Sequence, residues 1–413
     1  MTAIVAVLNK HAVAIAADSA VTMGDTHKVV NSANKIFTLS KYHPVAVMTY
    51  SNAAFMGVPW DIIIKEYRRE LKDKSFNTVK EYAKDFIKFI HKRNFFCKEE
   101  TQLTYLKIEL ESFLDMCYDD ISYRKKIKKN DIAEEDLREV LCNCKENLSQ
   151  SHKCPEFEDY NYSKFKKKYY AVIQEFSTNQ ELDLSEDLCE AFFYYLSAQF
   201  NLTNNTGLVF VGYGEKEIYP SLHQMNVALV VSGHLRYYCG DTVEISDKKT
   251  ANISPFAQTD VTETILRGIN PAFQQIINDN VGNYLASFSE QIAKILDQDN
   301  TTSEMASVIR QKFDIKESTK KLVERINEAM FQSYTKPLLA TIVSLDKEDM
   351  ANMAESFISL TSLVRRMQPG EETVGGPVDV AVISKGDGFV WINRKHYFKP
   401  ELNAVFFHNY LRI

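Results

Sequence analysis

Apolar residues run from Ala3 to Leu8 and again from Ala12 to Ala17, with Lys10 and His11 between them. Both runs have strand length, and the polar pair makes the turn of a hairpin that Asp18 and Ser19 close. A third β-rich piece, Lys28–Leu39, carries a lone lysine, Lys35, past its middle. Pro44–Tyr50 is a fourth apolar strand, followed by Ser51, Asn52, Ala53 and Ala54. The period then changes. Val79, Tyr82, Ala83, Phe86, Ile87 and Ile90 fall at three- and four-residue steps, so Phe76–Lys92 is an amphipathic helix, paired with another at Trp60–Lys72.

From 94 to 205 the chain is dense in Lys, Glu, Tyr and Phe with mostly helical periodicity. Leu208–Val211 returns to strand, and Ser221–Val231 with Leu235–Ile245 reads as an antiparallel meander. Gly212-Tyr213-Gly214 lacks the lysine and the helix start of a phosphate cradle. Ile253–Asp260 leads into a helix at Val261–Gly268. A second helical stretch, 270–336, is built around Phe273, Ile276, Ile292, Ile295, Phe313, Leu322 and Phe331. Asp346–Met367 is one long helix with a stripe of Met350, Met353, Ala354, Phe357, Ile358, Leu360 and Leu363, and those methionines read as core. Gly388–Ile392 and His396–Phe398 finish the sheet.

The chemistry concentrates at the start. Removal of Met1 before a residue as small as threonine leaves Thr2 with a free α-amine beside its hydroxyl. That amine titrates near pH ~8, and threonine with its own N-terminal amine is an activated nucleophile. Lys35 adds a fixed positive charge that favours the alkoxide, and Asp18 holds Lys35 in place. The alternative is a buried hairpin followed by a salt bridge.

Thr2, the AIAADS block that ends in Asp18 and Ser19, and Lys35 resemble the N-terminal signature of proteasome β subunits and the bacterial HslV protease. The resemblance covers about Thr2–Lys92, Leu208–Gly268 and Asp346–Phe398. It implies an α+β fold, a four-layer αββα sandwich of the N-terminal-nucleophile hydrolase type, as one domain over 1–413 with helical insertions at 94–205 and 270–336. The distance from Thr2 to Lys35 is one residue longer than in that family, which a bulge in Thr22–His27 would absorb. Ser51 stands where the family's glycine supplies a backbone N–H to the oxyanion, and any residue but proline keeps that donor. Glu371 matches an acidic position of the family, and Thr373 is the hydroxyl nearest to Val374, which replaces a serine. Ala257 and Gln258 stand where a second serine turn would be, with Gln258 or Thr259 available for a hydrogen bond or, for Thr259, as a helix cap. The implied activity is cleavage of a peptide or other amide bond, with no cofactor and no metal. The other reading is a catalytically silent scaffold that binds a protein partner through its helical segments.

Composition narrows the classes. The 413 residues are 45% hydrophobic and 25% charged, a soluble globular balance. A net charge of −6 argues against a polyanion binder. The basic runs Ser122–Lys129 and Lys164–Tyr170 have acidic residues close by, so they read as solvated helix faces, not a nucleic-acid surface. The sequence shows no apolar run of membrane length and no signal-type N-terminus, which gives a cytoplasmic expectation without membrane. Seven cysteines, an odd number, are not a disulfide framework. Cys142 and Cys144, near His152 and Cys154, point opposite ways on a helix and lack zinc-ligand spacing. Expected partners are a peptide or protein substrate and other copies of the chain.

Overall fold

The computed structural model describes residues 2–23, 28–92, 98–297, 315–368, 374–396, 398–405 and 408. Its strands are β1 (Ala3–Asn9), β2 (Val13–Ala17), β3 (Val21–Met23), β4 (Lys28–Val30), β5 (Ile36–Thr38), β6 (Val45–Ser51), β7 (Ala54–Phe55), β8 (Val58–Pro59), β9 (Thr206–Gly212), β10 (Ser221–Val231), β11 (His234–Glu244), β12 (Ala251–Ala257), β13 (Asp379–Ser384) and β14 (Gly388–Asn393). Its helices are α1 (Trp60–Leu71), α2 (Val79–Lys92), α3 (Glu99–Lys125), α4 (Glu134–Ser149), α5 (Tyr162–Asn179), α6 (Ser185–Ser197), α7 (Asp260–Arg267), α8 (Pro271–Asp297), α9 (Ile315–Met330), α10 (Lys336–Ser344) and α11 (Lys347–Met367). The class is α+β, with antiparallel sheets. Two units divide the chain: Met1–Ser32, Ile245–Val382 and Trp391–Ile413 form the first, Ala33–Glu244 and Ile383–Val390 the second.

β1 lies inside a five-stranded sheet of order β12-β1-β2-β13-β14, of which β12, β1 and β2 belong to the first unit. Ala3 pairs with Ala257, and Ile4 with Ala17. Every residue of β1 and β2 is buried, which is why both read as unbroken apolar runs. Ala3, Val5, Val7, Ala12, Ala14 and Ala16 pack against Ile342 of α10 and Met350, Ala354, Phe357 and Ile358 of α11. The buried Asn9 side chain ties the hairpin turn to the α10–α11 junction. Its Nδ2 donates to the Ile342 and Leu345 carbonyls at 3.0 Å each, and its Oδ1 accepts from the His11 and Ala12 amides at 2.9 and 3.1 Å. Asp346 caps α11 by accepting from the Asp349 amide at 2.9 Å.

β12 accommodates Pro255 because it is an edge strand, where a proline costs no sheet hydrogen bond on its open side. Three sequence expectations need correction. The piece Lys28–Leu39 is not continuous; β4 ends at Val30, and Lys35 lies just ahead of β5 rather than inside a strand. The α11 stripe is narrower than its periodicity implied. Met350, Ala354, Phe357 and Ile358 are buried with Ala351 and Thr361, whereas Leu360 and Leu363 face outward. The last strand of the sheet is β14, and His396 has no strand structure.

The second unit is organised on the sheet β11-β10-β9-β6-β5. Val45 of β6 pairs with Gly212 of β9, and Ser51 with Thr206. A Cβ on Gly212 would lie 2.0 Å from the Pro44 carbonyl oxygen, so only glycine fits that crossing. Trp60 Nε1 donates to Thr206 Oγ1 at 3.0 Å and fixes the start of α1 on the sheet. Phe86 of α2 meets Phe210 of β9 edge-on at 5.4 Å. Phe113, Phe165, Phe192 and Tyr195, from α3, α5 and α6, extend the same core, with Phe113 and Tyr195 4.5 Å apart.

A buried cation joins β11 to the end of α6. The Arg236 guanidinium is fully buried and donates to the Leu196 carbonyl at 2.9 Å, Ala198 at 2.7 Å and Phe200 at 2.9 Å. The Leu196 carbonyl is one that a helix leaves without a partner at its C-terminus, where a cation also meets the negative end of the dipole; Ala198 is the C-cap and Phe200 follows the helix. No helix among the described residues is long and apolar enough to cross a membrane.

Candidate functional site

Thr2 is buried at the head of β1, and the peptide group that follows it is held from both sides. Its carbonyl oxygen accepts from the Gln258 amide at 3.2 Å. The amide of the same peptide, Ala3 N–H, donates to Asp18 Oδ1 at 2.9 Å. Asp18, itself buried, accepts through Oδ2 from the Ala20 amide at 3.0 Å and the Gly375 amide at 3.3 Å. The carboxylate thus gathers the first strand, the end of β2 and the segment before β13. Hydrogen bonds to a charged acceptor are each worth about 1.5–3 kcal/mol.

Ser19 reinforces that junction. Its amide donates to the Gly375 carbonyl at 3.1 Å, and its hydroxyl donates to the Pro377 carbonyl at 2.5 Å. Gly376 has φ of +75°, and a Cβ there would come within 2.9 Å of Asn31 Cβ and 3.3 Å of Ser19 Cβ. Gly376 is therefore needed for close approach to Asn31 and Ser19.

Backbone strain marks two strand ends. Ala257, last residue of β12 and cross-strand partner of Ala3, has φ of +66°. Ser51, last residue of β6, has φ of +70° and is exposed. An L-residue in this region costs roughly 1–2 kcal/mol and persists only where its surroundings hold it. Both positions have a glycine-type backbone without glycine.

The turn after Ala257 is held by a residue that the sequence did not single out. Arg365, in the last turn of α11, donates through Nε to Gln258 Oε1, through one terminal nitrogen to Asp260 Oδ1, and through the other to Gln368 Oε1 at 2.8 Å. Thr259 occupies the N-cap position of α7 but makes no side-chain capping bond. Arg365 left no distinctive signal, since a basic residue in a last helical turn is ordinary dipole complement.

Of the residues proposed from the sequence, Thr2 and Asp18 come together in the first unit, joined by Ser19, Gln258 and Gly375. Lys35 and Ser51 belong to the second unit. Lys35 is 4% exposed, and its carbonyl accepts from the Thr49 amide at 2.9 Å. Glu371, Thr373 and Met1 lie outside the described residues, as do 24–27 of the loop expected to bulge. Val374 is buried. Among the described residues no group of three or more His, Cys, Asp or Glu side chains could hold a metal ion.

No protein-family model and no curated protein sequence matches the chain. Among solved structures it is similar to the Anbu complex of Pseudomonas aeruginosa, described as a helical assembly, at 9% identity over 99% of this chain and 95% of that one, with a TM-score of 0.34. An Anbu (Gly-1) mutant from Hyphomicrobium sp. strain MC1 follows at 10% identity, covering 99% and 91%, TM-score 0.30. Anbu (ancestral beta-subunit) from Yersinia bercovieri stands at 11%, covering 96% and 88%, TM-score 0.32. These neighbours correct the resemblance to proteasome β subunits and HslV: Anbu proteins are proteasome-like but a different family. The residues that suggested the narrower match lie within the first 35 positions, and Gln258 and Val374 stand in place of its two serines. At these scores the likeness carries no argument about activity.

Proposed function

We propose that this chain is an N-terminal threonine hydrolase acting on an amide bond of a peptide or protein. The observation that carries the reading is the double hold on the Thr2–Ala3 peptide, by the Gln258 amide and the Asp18 carboxylate. A chain end fixed this way keeps the nucleophile and its own amine in one orientation, which is where much of the rate of such a reaction originates.

After removal of Met1, the α-amine of Thr2 takes the Oγ proton as Oγ attacks the substrate carbonyl carbon. The C–O bond forms, and the tetrahedral intermediate collapses by breaking the amide C–N bond, with the ammonium returning its proton to the leaving amine. Water then hydrolyses the ester and regenerates Thr2. On the sequence pattern we assign Lys35 as the cation that favours the alkoxide, Asp18 as its partner, the Ser51 N–H as a donor to the oxyanion, and Glu371 and Thr373 as supporting groups. The same reading makes the fold a four-layer αββα sandwich with helical insertions at 94–205 and 270–336, and leaves room for assembly with other copies. It also leaves the protein without need of a cofactor.

Thr2→Ala should abolish turnover and electrophile labelling, at least a thousandfold, with thermal stability nearly unchanged. Intact mass must show loss of Met1 in the active protein. An unlabelled wild type that retains Met1 would instead support a silent scaffold, for which the buried Val374 at a lost serine position speaks.

A further inference from the structure

Arg365 uses all three guanidinium nitrogens: Nε on Gln258, one terminal nitrogen on Asp260 and the other on Gln368. Two of these partners flank Thr259 at the start of α7, so the guanidinium clamps the whole turn that leaves β12. That turn contains the strained Ala257, and its next amide, Gln258 N–H, is the one that reaches the Thr2 carbonyl. A left-handed alanine does not hold itself. Released from its neighbours, the turn would relax toward an ordinary backbone and carry the Gln258 amide off Thr2. The Arg365 side chain is 15% exposed, and its planar fork loses little freedom when all three nitrogens are engaged.

From this geometry we infer that Arg365 is a positioning residue for Thr2, acting through the Gln258 turn. The inference rests on the reading of Thr2 as a nucleophile and adds the device that fixes its orientation. Gln258 is part of the same device. Its side-chain oxygen is engaged by Arg365 while its backbone amide is engaged by Thr2, so one residue connects the α11 end to the strand head.

The test uses the full-length protein and a peptide-based electrophile that forms a covalent adduct on Thr2, located by mass spectrometry. For Arg365→Ala the maximal labelling rate should fall at least tenfold, with the probe's half-saturation concentration within twofold of wild type. Arg365→Lys should recover little of it, because an ammonium cannot span Gln258, Asp260 and Gln368 together. Gln258→Ala leaves the Arg365–Asp260 pair in place and should slow labelling similarly, and the double variant should be no slower than the worse single one. Amide exchange supplies a reading independent of labelling: the Gln258 amide should lose protection in Arg365→Ala while Val5, Ala6 and Val7 keep theirs.

Arg365→Ala labelled at the wild-type rate, or unchanged protection at Gln258, overturns the positioning role alone. Loss of protection along all of β1 overturns it in favour of a general structural role. A wild-type protein that takes no label defeats the nucleophile reading, and the positioning role with it.

Discussion

Two helical regions with the same kind of sequence periodicity differ sharply in how they are packed. In the second unit, α3, α4, α5 and α6 place Leu106, Phe113, Leu137, Phe165, Ile173 and Phe192 in a continuous core. In the first unit, α8 and α9 pack on one another, with Gln274 Nε2 donating to Asn327 Oδ1 at 2.6 Å and Gly282 close to Thr319. Yet α8 leaves Tyr284 70% exposed, Ile295 67% and Phe273 56%. Regular three- and four-residue spacing therefore specifies a helix in both places, but not what covers its apolar side. A hydrophobic stripe says what would be favourable to bury, and only the tertiary partner decides whether it is buried.

The contrast breaks most directly under truncation. Phe113→Ala should cost about 3–5 kcal/mol by removing a fully buried ring, seen as a fall in the denaturant midpoint. Equal tolerance of Phe113→Ala and an α8 surface change would mean that the packing difference has no energetic content.

Acid should act on the second unit with a somewhat smaller effect. Burial in β10, with the positive charge of Lys80 added, holds His223 below its usual range, at about 4. The unfolded chain binds a proton below pH ~6.5, whereas the folded one resists until about 4. Stability from this residue is therefore complete above pH ~6.5, declines as pH falls toward 4, and changes no further below it. The loss amounts to about 3 kcal/mol, and His223→Gln should flatten that part of the pH–stability curve. Amide exchange in β10 and α2 should quicken over this range ahead of exchange in β1 and β2.

The smallest effect sharpens the comparison from the other side. Tyr284→Ser should change stability by less than about 0.5 kcal/mol, because its ring already faces solvent, where it stacks on Phe288 at 6.2 Å. A larger loss in thermal denaturation would show that this face of α8 is covered in solution.

Much of the site was legible because it depends on residues close to the chain start. The hairpin of β1 and β2 follows from unbroken apolar runs, and Asp18 falls where the second run ends. Ser51 was legible as a turn position, although only its backbone shows the conformation that favours glycine. Arg365 and Gly375 were not legible as contacts of this site, since Gly375 lies 357 residues from Asp18 along the chain and Arg365 lies 107 from Gln258. Local periodicity carries no record of such distances. β12 was read only as the lead into the helix at Val261–Gly268, and its proline is compatible with a strand only once that strand is known to be an edge. Leu360 and Leu363 misled, because a stripe wider than the surface it meets must leave its margin exposed.

Arg236 has a consequence for modularity. The 98–205 segment looks like something that could be excised and the flanking strands rejoined. The guanidinium on β11 forbids a clean cut, because its three acceptors, the carbonyls of Leu196, Ala198 and Phe200, would leave with the excised piece. What remained would be a cation inside a sheet core with nothing to bind, a defect worth several kcal/mol. The helical segment and the sheet are thus one inheritance: a lineage could lengthen or trim the distal turns of α3–α6, but could not lose the end of α6 without also replacing Arg236.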